Sequence, residues 1–326
     1  MNYTLKINNK DITGFQLVRV ILSQEITFIT SYNLSFNKVD FTIPFDFANI
    51  LFDTTVLNNV GVFDSAGNQV FSGYPTAKKI NYSNKTIYMT ATAYLNQLSK
   101  KTFTLTDNGV QPAGAYMFGL FQNYYLPSLP VQYAMDTHIK NDNLLNGISL
   151  YKNTGSNNTE NGISSVNALC DLIDMAVYAD NNKLTFSVFP EVWPDKQSVF
   201  DISNSLESPL IIQENSEYYY DTVLLEYYNA PNGTKKTLTK GPGNLTKKVS
   251  PSNIFIDDIS AQNILARKFN IVSKNYYTVE FKCDIQAIIN LSDFFAYQGY
   301  IFLITYLQPA YTYYSVKAIG IKNTGA

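Results

Sequence analysis

One histidine, His138, is the first residue that could do acid–base or metal chemistry, and it lies in the segment QYAMDTHIKNDN. Asp136 and Asp142 are close to it in sequence, so a hydrolytic or metal-binding group can be imagined there. A metal site with one imidazole needs carboxylates or thiolates from elsewhere, and nothing local has ligand spacing. We therefore interpret His138 as a surface residue near a loop and predict no metal site.

Nucleophilic chemistry has few candidates either. Cys170 falls on the apolar face of a predicted helix and Cys283 in the strand VEFKCDI, so both are interpreted as packed thiols. The Gly-x-Ser-x-Gly turn of serine hydrolases is absent. The Gly-Pro-Gly at 241–243 lacks the strand-to-helix context of a phosphate loop. Solvation on the polar helix face explains Asp171 and Asp174. The sequence predicts no catalytic or cofactor-binding residue, no cofactor and no enzyme activity.

Aromatic side chains are the remaining candidates for binding, with 25 Tyr, 21 Phe and one Trp. Three groups of exposed rings could stack on sugars, namely Tyr218-Tyr219-Tyr220, Tyr227-Tyr228 and Trp193. The other interpretation is that these rings belong to the core and interfaces of a sheet, because Tyr is enriched at protein–protein interfaces. Both interpretations stay open at this point.

The composition favours a large folded protein with several subdomains. The chain has 326 residues, of which 45% are hydrophobic and only 15% charged. A net charge of −2 with scattered lysine pairs gives no nucleic-acid footprint. We expect no signal peptide, no membrane-spanning segment and no disulfide framework, and therefore folding in a reducing cytoplasm.

The elements that would position any site are mostly strands. In VGVFDSAGNQVFSGY, at 60–74, two β runs flank a turn in which Gly67 can take a positive φ. Phe71 is followed by a bend at Gly73, and a second hairpin turns at Asn84. Short strands at this spacing predict a first small β-barrel over residues 1–101.

The rest of the chain predicts an insert and a second barrel. Residues 102–200 form an inserted α/β domain, in which an amphipathic helix at 163–180 precedes the strand KLTFSVFP. The second barrel comprises 201–230 and 270–326. An excursion at 231–269 contains a long exposed loop and a helix that Asp257 and Asp258 start by capping. The predicted fold class is mainly β, with two small barrels and an α/β insert.

This order of elements resembles the hub proteins of tailed-bacteriophage baseplates and tail tips. The family includes the late control protein D type and the N-terminal hub region of tail-associated lysins. It carries a hairpin of the form "v-x-d-x-x-G-x-x-v-F-x-G-y" and then "a-x-x-y-x-x-x-L", whose places here are taken by Gly67, Phe71, Gly73, Tyr94 and Leu98. The helix SSVNALCDLIDMAVYAD and the segment DISAQNILARKFNIVSK are similar to the insert and the later helix of the family.

The resemblance implies a structural role in the virion. Members form trimers whose two barrels per subunit make a pseudo-sixfold ring, which joins a hexameric tail tube to a threefold spike or fibre. The implied partners are two further copies, a tail tube or distal tail protein, the tape-measure protein and a central spike or fibre. DNA would pass through the bore without specific binding. The implied location is the phage tail tip or baseplate, after assembly in the bacterial cytoplasm.

Two other functions stay open at the sequence level. One is a carbohydrate- or receptor-binding β module of a tail tip or adhesin, which would use the exposed aromatic groups. The other, weaker one is a tail-associated peptidoglycan hydrolase, for which His138 would be the natural test residue.

Overall fold

The structure is a computed structural model of the chain. It describes residues 3–21, 24–25, 37–47, 59–94, 96, 102–104, 111–112, 132–135, 149–152, 159–161, 167, 170–180, 183–195, 199–203, 206, 209–230, 233–250, 254–284, 289–309 and 313–323. His138 and Leu98 lie outside these ranges.

The N-terminal part is one antiparallel sheet. Its strands and a neighbouring short strand are β1 (Thr4–Ile7), β2 (Lys10–Ile12), β3 (Gln16–Ile21), β4 (Gln24–Glu25), β5 (Lys38–Pro44), β6 (Val60–Phe63), β7 (Gln69–Asn81) and β8 (Thr86–Ala93). The order in the sheet is β2-β1-β6-β7-β8-β5-β3. Both predicted hairpins are confirmed, since β6 pairs with β7 and β7 with β8. A short 3-10 helix, Phe45–Phe47, follows β5.

Alternation of side chains gives this sheet its own core. In β5, Val39, Phe41 and Ile43 are buried while their neighbours are not, which is the period of two that a half-buried strand shows. They join Leu5, Phe71 and other apolar residues in one hydrophobic cluster. The first sheet therefore buries its apolar face independently of the rest of the described chain.

Short strands make up the middle of the chain. They are β9 (Thr102–Thr104), β10 (Gln111–Pro112), β11 (Gln132–Met135), β12 (Ser149–Lys152), β13 (Thr159–Asn161), β14 (Met175–Asp180), β15 (Lys183–Val188) and β16 (Phe200–Asp201). Strand β15 pairs with β11 in parallel and with β14 in a hairpin. This three-stranded mixed sheet lies within the predicted insert.

The helix predicted over 163–180 is wrong beyond residue 173. Residues 170–173 are helical, but Asp174 has a φ of 54°, which ends the helix. The segment MAVYAD that follows is β14, which pairs with β15 along its whole length. Asp174 itself is buried, so its assignment to a solvated face is also wrong.

The C-terminal part combines two sheets with the long helix. Its elements are β17 (Gln213–Asn215), a 3-10 helix (Ser216–Tyr218), β18 (Thr222–Asn229), β19 (Thr234–Lys240), β20 (Thr246–Val249), β21 (Ile254–Ile256), α1 (Asp258–Val272), β22 (Tyr276–Asp284), β23 (Phe294–Tyr297), β24 (Tyr300–Pro309) and β25 (Tyr313–Lys322). One sheet runs β10-β12-β21-β18-β19, with β20 also on β18. The other runs β16-β23-β24-β25-β22-β17, with β4 also on β24. One hydrophobic cluster includes residues of both sheets and α1.

Two predictions for this region have opposite outcomes. The start of the helix is confirmed, because the Asp257 side chain caps α1 by accepting the Ser260 amide at 2.7 Å. The long exposed loop is wrong in part, because β19 and β20 lie inside it. Strand β19 is mostly exposed and rich in Lys and Thr, which is typical of an edge strand rather than of a loop.

The mainly β fold class is confirmed, with few helices and a curled half-barrel sheet. Strand β18, placed by prediction in the second barrel, pairs with β19, β20 and β21 rather than with β22 to β25. The four domain boundaries themselves stay a prediction. Within the ranges that the structure describes, no helix is long and apolar enough to cross a membrane.

Candidate functional site

The hairpin residues singled out from the sequence lie in the first sheet, Gly67 in the turn between β6 and β7 and Phe71 and Gly73 on β7. Gly67 has a φ of 84° in the turn, where the Asp64 carboxylate accepts the amides of Ala66 and Asn68 at 2.9 and 2.8 Å. The hydrogen bond from the Asn68 side chain and those from the turn amides lower the pKa of Asp64. This turn chemistry fixes the register of β6 and β7.

Phe71 and Gly73 lie further along β7. Phe71 is 1% exposed in the core of the first sheet. A Cβ added to Gly73 would lie 2.2 Å from the Thr92 carbonyl oxygen, so only glycine fits between β7 and β8 there. Gly73 is paired on both sides, to Val60 and to Ala93. We propose that all three hairpin residues shape the wall of the sheet rather than a binding site.

The two thiols are in apolar surroundings. Cys170 and Cys283 are both buried, and neither forms a disulfide. Burial raises the pKa of the Cys170 thiol well above its usual range, so that the thiol stays protonated. Among the residues that the structure describes, no three His, Cys, Asp or Glu side chains are grouped closely enough to hold a metal ion.

Among the aromatic candidates for sugar stacking, Tyr227 is buried and the others are half-buried. Tyr227 is 2% exposed and donates its hydroxyl to Asp258 at 2.5 Å. Burial and this hydrogen bond raise the pKa of Tyr227 to about 12. The Trp193 ring lies 6.0, 6.4 and 5.7 Å from the rings of Phe189, Tyr276 and Phe294. Tyr227 and Trp193 therefore fit the interpretation as core residues.

A buried ionic cluster, formed by Asp174, Glu191, Arg267 and Lys268, connects the region around β14 and β15 with α1. Lys268 donates to the Asp174 carboxylate at 2.7 Å, and each side chain is 2% exposed. Arg267 donates to the Phe189 carbonyl at 3.0 Å and lies 3.8 Å from Glu191. Asp174 and the Phe189 carbonyl, which lie on either side of the β14–β15 hairpin, are thus both bound by consecutive residues of α1.

Sequence reasoning missed this cluster, although one signal was present. Lys268 falls on the apolar stripe of α1, with Ile264 four residues before it and Ile271 three after it. A charged residue on an apolar stripe is rarely buried without a partner of opposite charge. The position of Lys268 on the apolar stripe could have predicted an acidic partner, but the sequence does not indicate that this partner is Asp174.

Two exposed features on different sheets are suited to contact with another protein. The first is the tip of the β7–β8 hairpin, where the Tyr82 ring packs against Phe45 at a centroid distance of 5.9 Å. The second is a cleft of about 550 Å³ between the short edge strand β17 and the face formed by β22, β24 and β25. Its lining includes Glu214, Glu217 and Glu280.

Comparison with known proteins is informative at the level of the fold. The prophage tail protein gp18 from Listeria monocytogenes superposes with a TM-score of 0.56 at 11% identity, over 100% of this chain and 96% of that one. The 43 kDa tail protein of prophage MuSo2 from Shewanella oneidensis gives 0.53 at 10% identity, over 97% of each chain. A tail protein from Neisseria meningitidis gives 0.50 at 9% identity, over 98% and 97%. No protein-family model and no curated protein matches the sequence.

These likenesses extend over whole chains rather than over one domain. The prediction that this chain resembles tailed-phage tail proteins is confirmed at the level of the fold. At such low identities no residue of those proteins can be assigned a counterpart by sequence here.

Proposed function

We propose that this chain is a structural, non-enzymatic protein of a bacteriophage tail that serves as the tail hub. Three copies form a pseudo-sixfold ring that joins the hexameric tail tube to the threefold tip or spike. The observation that carries the proposal is the agreement of the fold with prophage tail proteins over essentially the full length of both chains. Two large sheets with separate cores in one chain suit a ring with two similar units per copy.

The proposal includes the partners and the location. The ring contacts a tail tube or distal tail protein on one face and a central spike or fibre on the other, next to the tape-measure protein. It lies at the tail tip or baseplate of the virion, after assembly in the cytoplasm of the host. DNA passes through the bore during infection without sequence-specific contacts, in keeping with the net charge of −2.

Assembly state tests the proposal directly. The purified chain is measured by size-exclusion chromatography with light scattering and imaged by negative-stain electron microscopy, alone and mixed with a tail tube protein encoded beside it. We expect a threefold ring with an open bore that caps the end of the tube. A chain that stays monomeric in the presence of the tube protein would overturn the proposal.

A further inference from the structure

We propose that copies of this chain contact one another head to tail, with the tip of the β7–β8 hairpin of one copy seated in the acidic cleft of the next. We call residues 76–86 the hairpin tip, and the acidic cleft is the one bounded by β17. The inference rests on the proposed ring, because a closed ring needs two different surfaces that meet at every junction. It assigns those surfaces to particular residues.

The hairpin tip presents aromatic surface to solvent. Tyr82 is 75% exposed and Phe45 beside it is 37% exposed, so two neighbouring aromatic residues present apolar surface to solvent. The Lys85 carbonyl accepts the Phe45 amide at 2.9 Å, which holds the two aromatic residues together. Exposed aromatic pairs on a firm backbone are typical anchors of protein–protein interfaces.

The same tip is basic. Residues 76–86 contain Lys78, Lys79 and Lys85 and no acidic residue. Lys79 and Lys85 are exposed, and the exposed Asp46 next to Phe45 offsets one positive charge. The tip therefore fits an acidic surface that also offers apolar contact.

The acidic cleft offers both negative charge and apolar surface. Glu214 and Glu217 are exposed on one side, and on the other Glu280 pairs with Lys317 at 2.9 Å. Residues 213–221 contain no Lys or Arg. The lining also includes the half-buried Tyr218 and Tyr306, whose rings offer apolar contact.

Charge and size make the two surfaces complementary. A net negative cleft facing a net positive tip favours correct docking and opposes contact between like surfaces. The cleft volume of about 550 Å³ leaves room for a side chain of the tip, such as the Tyr82 ring, to enter it. Tip and cleft belong to sheets with separate hydrophobic clusters, so they are two distinct surfaces, as a heterologous junction requires.

Disulfide trapping tests the contact. The variant Tyr82→Cys with Glu217→Cys is oxidised mildly at assembly concentration and run on a non-reducing gel. The native Cys170 and Cys283 are buried, so the new thiols react selectively. We expect a ladder that ends at the copy number of the ring, whereas either single variant gives no species beyond a linked pair. A linked monomer, or no ladder under conditions in which the ring forms, would overturn the inference.

Charge reversal provides a second, independent readout. Lys79→Glu with Lys85→Glu, or Glu214→Lys with Glu217→Lys, should each raise the dissociation constant of the assembly by about tenfold or more, and combining all four should restore it. The matched control is Lys10→Glu with Lys38→Glu, two exposed lysines on the same sheet. Lys38 pairs with Thr92, six residues along β8 from Thr86 at the tip, or about 20 Å away.

The outcomes separate this inference from the proposed function. A ring whose stability is unchanged by either reversal would overturn the tip–cleft contact and leave the tail hub proposal standing. A wild-type chain that forms no ring with its tube protein would overturn the tail hub proposal and this contact with it. Melting curves by circular dichroism for each variant identify any loss of assembly that follows from unfolding.

Discussion

At the scale of single residues, Lys268 and Asp174 place two opposite charges 2.7 Å apart in the interior of the protein. Asp174 combines a positive φ with a buried carboxylate, and both features restrict what can replace it. Asparagine tolerates that backbone conformation, so it removes the charge with little strain. Lys268 lies on α1, and methionine at this position would keep most of the volume of the lysine side chain without its charge.

We predict that breaking this pair on one side is costly. Asp174→Asn removes the carboxylate that the buried Lys268 ammonium faces at 2.7 Å, and Lys268→Met leaves that carboxylate with the longer contact to Arg267 Nε at 3.9 Å, so each should lower the free energy of unfolding by about 3–5 kcal/mol. The double variant should lose clearly less than the sum of the two, because the 2.7 Å pair is then removed as a whole and neither of its two charges stays buried without the other. Urea unfolding followed by fluorescence gives the three values.

An exposed ion pair provides the control for this cycle. Lys236 and Asp258 are 2.7 Å apart but 40% and 50% exposed, so Lys236→Ala should cost far less stability than either substitution in the buried pair. Additive losses at 174 and 268 would show that the two buried side chains act separately, which contradicts the geometry.

At the scale of elements, Glu226 links three strands. It lies on β18 and is 3.1 Å from both Lys235 on β19 and Lys248 on β20. The hydrogen bond from Lys248, and then that from Lys235, lower the pKa of Glu226 below its usual value. The carboxylate therefore couples its protonation to the pairing of these strands.

We predict a matching dependence of stability on pH. Because the pKa is lower in the folded state, the stabilisation is complete above the unfolded-state pKa of about 4.5 and is lost as pH falls through the folded-state pKa. Glu226→Gln should therefore be less stable than the wild type at neutral pH, and the difference should shrink in acid. Urea midpoints from pH 3 to 7 measure it.

Salt provides the internal check on this prediction. Ionic strength near 1 M screens exposed charges, so it should reduce the difference between Glu226→Gln and the wild type at neutral pH. If the two proteins had parallel pH profiles at low salt, the three-strand linkage would carry no measurable energy.

The elements also show how far local sequence signals extend. The turns at Gly67 and Asn84 and the cap at Asp257 were predicted correctly, because each depends on side chains within a few residues of the backbone they fix. The helix beyond residue 173 was predicted wrongly, because pairing of β14 with β15 outweighs a weak helical period in MAVYAD. Strand β19 was missed because its exposed Lys and Thr residues have no apolar alternation.

At the scale of the whole molecule, the order of β-rich parts and insert could be predicted, but the candidate surfaces could not. The cleft combines residues 213–218, 278–280, 305–306 and 317–319, which meet only through the register of β17, β22, β24 and β25. No signal within one segment specifies that register. The buried cluster at Asp174 depends in the same way on how α1 packs, 94 residues further along the chain.

The two hydrophobic clusters predict two unfolding events. Leu5 is fully buried in the cluster of the first sheet, and Ile264 is 1% exposed in the cluster around α1. Truncating a buried aliphatic side chain costs about 2–5 kcal/mol and acts on the unit that contains it. We therefore expect two calorimetric transitions, of which Leu5→Ala lowers one midpoint and Ile264→Ala the other.

The pairing of β4 with β24 sets how independent the two events can be. Gln24 and Glu25 of the N-terminal part pair with Leu307 and Tyr306 of the C-terminal sheet, so the two units share a short ladder. These two residue pairs contribute little to stability compared with the two hydrophobic clusters. The two unfolding transitions should therefore stay resolved at low protein concentration, where no ring forms. A single transition that both variants shift equally would instead show one cooperative unit. In that case the pairing of β4 with β24, rather than the separate cores, would control how the chain unfolds.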